Sequence, residues 1–172
     1  MKTGIEKFKE IIDDETCNLL IEYIENNLNI CDDLNWCNES RNNVICKQIF
    51  LQKETDLDSQ VYKAINNVVS KYTDLYSHFH ATGDTGYALR KITGETRIHV
   101  DTMTKDFRNI SIILGLNSDY EKGEFNFPYQ NFSTTVKRGE AIVFPVYFMY
   151  PHHVDAPIGN RYTINTWMQE SF

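Results

Sequence analysis

The chain has little of what staples, anchors or targets a protein. Its four cysteines, Cys17, Cys31, Cys37 and Cys46, all precede Lys47 and include no CxxC pair. Their spacing fits no common zinc pattern and no secretory context surrounds them, so free thiols are expected. The longest apolar run, "AIVFPVYFMY", is too short to cross a bilayer as a helix. The N-terminal "MKTGIEKFKEIIDDETC" mixes acids and bases where a secretory signal needs an unbroken apolar stretch, which makes the cytoplasm the expected compartment. Such a compact chain suits a bacterial or phage protein. Positive charge is also scarce: 17 Lys and Arg against 24 Asp and Glu give a net charge of -7. That balance argues against nucleic acid held mainly through its phosphates. No internal repeat, low-complexity stretch or interdomain linker is visible. What is present, 172 residues with 41% hydrophobic and 13% aromatic content, suffices for one domain with a sizeable core.

The pattern changes midway. Ile5, Phe8, Ile11 and Ile12, then Leu19, Leu20 and Tyr23, recur at helical spacing and predict two short helices between Ile5 and Asn27, the second capped by Asp13 or Asp14. Residues 30–46 read as a polar loop running into a strand at "VICKQIFL". Val61, Ala64, Ile65, Val68, Val69, Tyr72 and Tyr76 predict a long amphipathic helix from about Asp56 to Phe79. Beyond Gly83 come short β-branched and aromatic runs: "GYALRKI", "ETRIHVD", "NISIILGLN", "GEFNFPY", "STTVKRGEAIVFPV", "MYPHHVDAP" and "RYTINTWM". Seven or eight strands with no helix between them predict an antiparallel barrel or jelly roll. The expected layout is one domain over 1–172, mainly β, in which residues 1–80 form a helical layer against a core of 81–172.

"HVD" occurs twice, at His99–Asp101 and His153–Asp155. On an extended strand, a His and an Asp two residues apart project from the same face and can grip one ion. One such match is expected by chance in so acidic a chain, so context must decide. A mononuclear iron site of the two-His-one-carboxylate type needs three ligands and leaves its remaining positions open. His99 and Asp101 could take His152 or His153 as the third; His153 and Asp155 would need His78, His80 or His99 from upstream. Arg161 stands nine residues beyond His152, on a strand whose one face carries Arg161, Thr163, Asn165 and Trp167. A barrel interior lined by Arg and Thr is costly unless an anion meets it, and a guanidinium offers a carboxylate two parallel donors. The site reads as built for a small dicarboxylic acid beside a metal.

The set "HVD", "RNISIILGLN", "GEFNF", "KRGEAIVFP", "PHHV" and "RYTINTW" resembles the iron and 2-oxoglutarate dependent oxygenases, specifically their prolyl 4-hydroxylase-like branch. The resemblance runs from about Gly86 to Met168, and "DDETCNLLIEYI" is similar to the helix preceding the barrel in that branch. It implies a double-stranded β-helix, the jelly roll. It also implies His99, Asp101 and His152 as iron ligands, His152 being selected over His153 by the "PH-x-V" context nine residues before "RY". Arg161 would hold the far carboxylate of 2-oxoglutarate, with Thr163 as a hydroxyl partner. Two positions depart from the pattern: Gly115 stands where many relatives carry a cosubstrate-binding tyrosine, and Lys91 where another aromatic is usual. Tyr87 and Tyr150 are the candidates to compensate.

The resemblance further implies Fe(II), 2-oxoglutarate and O2 as cofactor and cosubstrates, ascorbate as reductant, and decarboxylation to succinate coupled to hydroxylation. Related halogenating enzymes replace the carboxylate ligand with a small residue, so Asp101 argues for hydroxylation. The expected substrate is a peptide or protein residue, proline first. The alternatives are a small-molecule hydroxylase (amino acid or metabolite) on the same site, or a non-enzymatic jelly-roll binding protein. Elsewhere the plainer readings are favoured: His78 and His80 structural, His153 solvent-facing, Phe125, Phe127 and Trp167 packing, Arg108 a solvated charge. Residues 30–46 and 102–108 are the lid candidates.

Overall fold

The computed structural model describes residues 3–34, 45–102 and 107–170. Cys37 and most of both lid candidates lie outside them. In chain order the elements are β1 (Glu6–Phe8), α1 (Asp14–Asn26), β2 (Asp32–Asp33), β3 (Cys46–Phe50), α2 (Asp56–Leu75), β4 (Gly83–Asp84), β5 (Ala88–Ile92), β6 (Arg108–Gly115), β7 (Glu121–Lys122), β8 (Phe125–Phe127), β9 (Phe132–Thr134), β10 (Ala141–Pro145), β11 (His153–Val154), β12 (Pro157–Ile158) and β13 (Arg161–Gln169).

Both helices begin where a side chain can satisfy the free N–H groups of the first turn. Asp13 Oδ1 accepts from Thr16 N at 2.7 Å, and Thr55 Oγ1 accepts from Asp58 N at 3.1 Å. The long helix ends at Leu75, four residues before the expected Phe79. Tyr72, Tyr76 and Phe79 there fold into an aromatic cluster, with Tyr72 4.6 Å from Tyr76 and 5.3 Å from Phe79 between ring centroids. The first expected helix does not form. Its stripe begins instead with β1, antiparallel to β10 in the register Glu6↔Val143 to Phe8↔Ala141. Ile5 and Phe8 pack on opposite sides of the sheet, so a spacing of three served a strand; over so short a run the two periods are indistinguishable.

One sheet runs in the order β1-β10-β6-β13-β5-β3-β2, with β4 paired to the end of β13. Opposite it lie the three-stranded sheet β11-β8-β9 and the pair β12-β7, all pairings being antiparallel. This is the expected jelly roll. The large sheet has two apolar faces. Leu89, Ile112, Leu114 and Ile164 pack outward against Leu20 and Ile24 of α1 and Val61, Ile65 and Val68 of α2. Ile113, Ile142 and Phe144 point inward onto Phe125, Phe127 and Val154. Arg138 ties the helical layer to the barrel, its Nε donating to Asp14 Oδ1 at 2.6 Å.

Three further expectations need correction. "ETRIHVD" forms no regular strand; Thr96 N donates to the Val154 carbonyl at 2.9 Å, and an isolated bridge joins His99 to His152, whose backbones exchange hydrogen bonds of 3.0 and 2.9 Å. "STTVKRGEAIVFPV" is broken into β9 and β10 by a turn at Gly139, whose φ of +72° an L side chain rarely adopts. Among the cysteines, Cys17 and Cys31 are free, as expected, and buried, but Cys46 is disulfide-bonded. No described helix is long and apolar enough to cross a membrane.

Candidate metal and cosubstrate site

His99, Asp101 and His152 converge inside the barrel mouth, their ligand atoms all within 4.8 Å of one another. The bridge between residues 99 and 152 brings the two imidazoles to a centroid separation of 4.4 Å. His99 Nε2 lies 3.4 Å from Asp101 Oδ1, and His152 Nε2 lies 3.8 Å from Asp101 Oδ2. Each ring is oriented by its other nitrogen. His99 Nδ1 meets the Arg97 carbonyl at 2.7 Å and His152 Nδ1 meets the Tyr150 carbonyl at 3.2 Å. A carbonyl only accepts, so both Nδ1 atoms carry protons and both Nε2 atoms turn to the common centre, the arrangement that metal-binding histidines need. Ser111 in β6 fixes the carboxylate, its Oγ donating to Asp101 Oδ2 at 2.6 Å.

The electrostatics favour a carboxylate ready to bind a cation. Burial alone would raise the Asp101 pKa, but the His99 hydrogen bond, the nearby His152 and Ser111 together hold it well below the usual carboxylate range. Burial pushes the His152 pKa down, which keeps that imidazole neutral. Burial acts the same way on His99, but there the contacts to Asp101 and the Arg97 carbonyl outweigh it and the pKa rises. Two neutral-capable imidazoles and one anion with three Nε/Oδ donors on one side suit a divalent transition metal. Among the described residues no other group of His, Cys, Asp and Glu converges in this way. His153 and Asp155 stand 3.7 Å apart with side chains 39% and 48% exposed, a surface pair. His78 and His80 lie away from the triad, beside a second cavity of 330 Å³.

The triad opens into a cavity of 440 Å³. Arg161, Thr163, Asn165 and Trp167 all line it, the alternate face read from the sequence, while Tyr162, Ile164 and Met168 join the helix-side core. Arg161 is 4% exposed; its Nη1 donates to the Gly123 carbonyl at 3.3 Å, and its buried Nε has no partner. Burial lowers its pKa to about 10, an environment that calls for an anion. Thr163 Oγ1 donates to Asn165 Oδ1 at 2.8 Å.

Tyr87 and Tyr150 do not reach this cavity, which corrects their expected place beside the cosubstrate. Positions 88, 90 and 92 of β5 face the barrel, so Tyr87 faces the helices, where its hydroxyl donates to Asp84 Oδ2 at 3.0 Å. Tyr150 points toward the N-terminal segment and donates to the Thr3 carbonyl at 2.9 Å. Lys91 likewise faces the helices, 2.9 Å from Glu25 Oε1. At Gly115 an added Cβ would come within 2.4 Å of the Lys137 carbonyl oxygen, so no side chain fits there.

Arg108 is not a solvated charge: it lines the cavity with Cζ 4.1 Å from the Trp167 ring centroid. Arg90 was missed in the sequence, although its place in a strand facing opposite to Lys91 was a signal. Its Cζ lies 5.4 Å from the same ring, and its Nε donates to Gln48 Oε1 at 2.8 Å. Ser111 was missed as well, and no local pattern distinguishes it.

The 2OG-Fe(II) oxygenase superfamily model matches residues 86–169, the span that carries the triad, Ser111 and Arg161. No curated protein sequence matches the chain. Among solved structures, a prolyl hydroxylase from Trichoplax adhaerens, in complex with a hypoxia inducible factor peptide fragment, is similar with a TM-score of 0.76 and 15% identity, covering 98% of this chain and 84% of that one. The viral collagen prolyl hydroxylase of Paramecium Bursaria Chlorella virus-1, as its 2OG complex, gives 0.75 and 16% over 96% of both chains. A Pseudomonas putida prolyl-4-hydroxylase gives 0.74 and 13%, covering 98% of this chain and 94% of that one. At such identities the likeness speaks for the fold, and the family match for the site region. Residues 86–169 match the 2OG-Fe(II) oxygenase superfamily, and this match, on a prolyl-hydroxylase-like jelly roll, supports a 2-oxoglutarate-dependent dioxygenase.

Proposed function

We propose that this dioxygenase hydroxylates a residue of a peptide or protein, proline being the first candidate, and releases succinate from 2-oxoglutarate. The observation that carries the reading is the opening of the His99, Asp101 and His152 triad into the same cavity as the buried, incompletely partnered Arg161. In this reading His99 Nε2, an Asp101 oxygen and His152 Nε2 would hold Fe(II). Bound there, Fe(II) would activate O2, with 2-oxoglutarate supplying two electrons as it loses CO2, so that one oxygen atom would enter succinate and the other a substrate C–H bond. Arg161 receives the far carboxylate of 2-oxoglutarate through its forked donors, and Thr163 turns its hydroxyl from Asn165 to add one more. Ser111 keeps the Asp101 carboxylate in one orientation while the imidazoles are held by their Nδ1 contacts. Phe125, Ile113 and Val154 give the cavity apolar walls that limit water at the reacting centre. The proline preference is supported by architecture alone: the similar Trichoplax adhaerens structure holds a peptide fragment, and all three similar enzymes are prolyl hydroxylases.

The test is succinate formation from 2-oxoglutarate under air with Fe(II) and ascorbate, with mass spectrometry of proline-containing peptides for a gain of one oxygen. His152→Ala and Arg161→Ala abolish turnover, whereas His153→Ala keeps it. Turnover surviving His152→Ala would sink the ligand assignment. Succinate release with no oxygenated proline in any peptide would sink the proline part alone.

A further inference from the structure

The second cavity, of 330 Å³, shares no lining residue with the cavity that holds the triad and Arg161. Tyr72, Tyr76, Phe79, Tyr147 and Tyr150 bring five aromatic rings to its wall. The rings are set at different angles, with Tyr76 tilted 33° and Phe79 88° against Tyr72. Aromatic faces gathered around one space attract a cation through the ring quadrupole.

The polar groups of the wall favour the same sign of ligand. Tyr72 Oη donates to the Gly4 carbonyl at 2.9 Å, Tyr76 Oη to Glu6 Oε1 at 2.6 Å and Tyr150 Oη to the Thr3 carbonyl at 2.9 Å. Each phenol has a single proton, so these three have none left for an anion. Burial pushes the Tyr72 and Tyr76 hydroxyls up, that of Tyr76 to about 12, and both stay neutral. Among the described residues no Lys or Arg lines the cavity, His78 and His80 do, and Glu170 is its one carboxylate. The Glu170 N–H donates to the Phe107 carbonyl at 3.3 Å, and no described cation pairs with its side chain.

Asn109 adds an acceptor that lacks a donor. Its Nδ2 donates to the His80 carbonyl at 2.8 Å, and because a carbonyl only accepts, this contact fixes which end of the amide is the oxygen. That oxygen, Oδ1, is buried and accepts from no described group, in a residue that is 7% exposed and lines the cavity. A buried acceptor left unpaired is rare and calls for a donor. A quaternary ammonium would suit the rings and the carboxylate but has no N–H to give.

We propose that this cavity is a second ligand site, taking an organic cation that carries N–H groups on an alkyl stem, with Asn109 Oδ1 and the Glu170 carboxylate as its acceptors and the aromatic rings around it. The class comprises primary ammonium and guanidinium groups. Its source is either a free amine or a lysine or arginine side chain of a peptide. The site is independent of the hydroxylase reading, since none of its residues belongs to the triad or to the cavity of Arg161.

The whole chain is titrated by ligand-observed NMR in an amine-free buffer at about pH 8, above the usual imidazole range. The probes are 1-butylammonium, 1-butylguanidinium, tetramethylammonium, 1-butanol and butyrate, then Nα-acetyl-lysine amide and Nα-acetyl-arginine amide. We expect the N–H cations to bind roughly tenfold or more tighter than 1-butanol, the size of a charged hydrogen bond, with tetramethylammonium in between and butyrate weakest. Tighter binding of the amino-acid amides than of the simple ions identifies a peptide side chain as the source, and the reverse order a free amine. Glu170→Gln weakens the N–H cations roughly tenfold and leaves 1-butanol unchanged, a split that misfolding would not produce. Tyr147→Leu, at a ring 48% exposed, weakens every cation and spares 1-butanol. Equal affinity for 1-butylammonium and 1-butanol, tetramethylammonium binding as tightly as the N–H cations, full affinity in Glu170→Gln, or no binding at all overturns the proposal.

Discussion

At the scale of single residues, the site depends on which way adjacent side chains point. His152 and His153 are neighbours in sequence, yet the bridge to His99 turns one inward, with its side chain 4% exposed, and leaves the other 39% exposed. Ser111 acts one step further out, through the carboxylate it holds. Its replacement in Ser111→Ala is expected to weaken Fe(II) affinity by about 10–100-fold, the usual cost of losing an outer partner, as read by anaerobic metal titration. An unchanged affinity would mean that Asp101 is held by its imidazole neighbours alone. Gly115 is the opposite case, a residue whose lack of a side chain is what fits. Gly115→Ala places a Cβ against the backbone oxygens of Val136 and Lys137, so the loss is expected at about 1–3 kcal/mol in urea unfolding. The tyrosine that relatives carry at this position has no room here.

At the scale of elements, the helical layer is joined to the barrel by a few polar contacts at its edges. Glu25 of α1 meets Lys91 of β5 at 2.9 Å and accepts from Tyr162 of β13 at 2.6 Å. Burial raises the Glu25 pKa, but the Lys91 and Tyr162 hydrogen bonds outweigh it and the folded value falls below the ordinary 4.5. The stability this group contributes is therefore fully present above pH 4.5 and is lost as the pH falls through the lower folded value. Glu25→Gln is expected to flatten that part of the acid unfolding profile; an unaltered slope below pH 4.5 would refute the linkage. Asp13→Ala removes the cap of α1 and is expected to cost about 1 kcal/mol in the same assay. The caps and the amphipathic stripes of both helices were legible because they are local. The strand β1 was not, since only its pairing with β10 distinguishes Ile5 and Phe8 from the start of a helix.

At the scale of the whole molecule, β13 pairs with both β5 and β6, and the cavity forms along their shared inner face. The metal ligands lie on segments that only the closed barrel brings together, so ligands that bind the folded state alone should stabilise all of it. Fe(II) or Mn(II) with 2-oxoglutarate, each at about a hundred times its dissociation constant, is expected to add about 2.7 kcal/mol per ligand, and a chelator should remove the metal's share. Thermal melts with and without EDTA check this; identical midpoints would show that the triad holds no metal.

The order of the motifs in the chain was enough to indicate a jelly roll, a triad that includes His99 and Asp101, and an arginine on the inner face of the last strand. The jelly roll and the inner-face arginine rest on alternation along a strand and on spacing, both of which are written locally, while the choice of His99 and Asp101 over the second His-Val-Asp came from the family resemblance. Only the tertiary structure placed Tyr87 and Tyr150 outside the site, closed the space at Gly115, recruited Ser111, and gathered Arg90 and Arg108 around Trp167. Those outcomes depend on which strands lie side by side and in what register. Register sets which face each residue occupies, and it is decided by contacts between positions far apart in the chain.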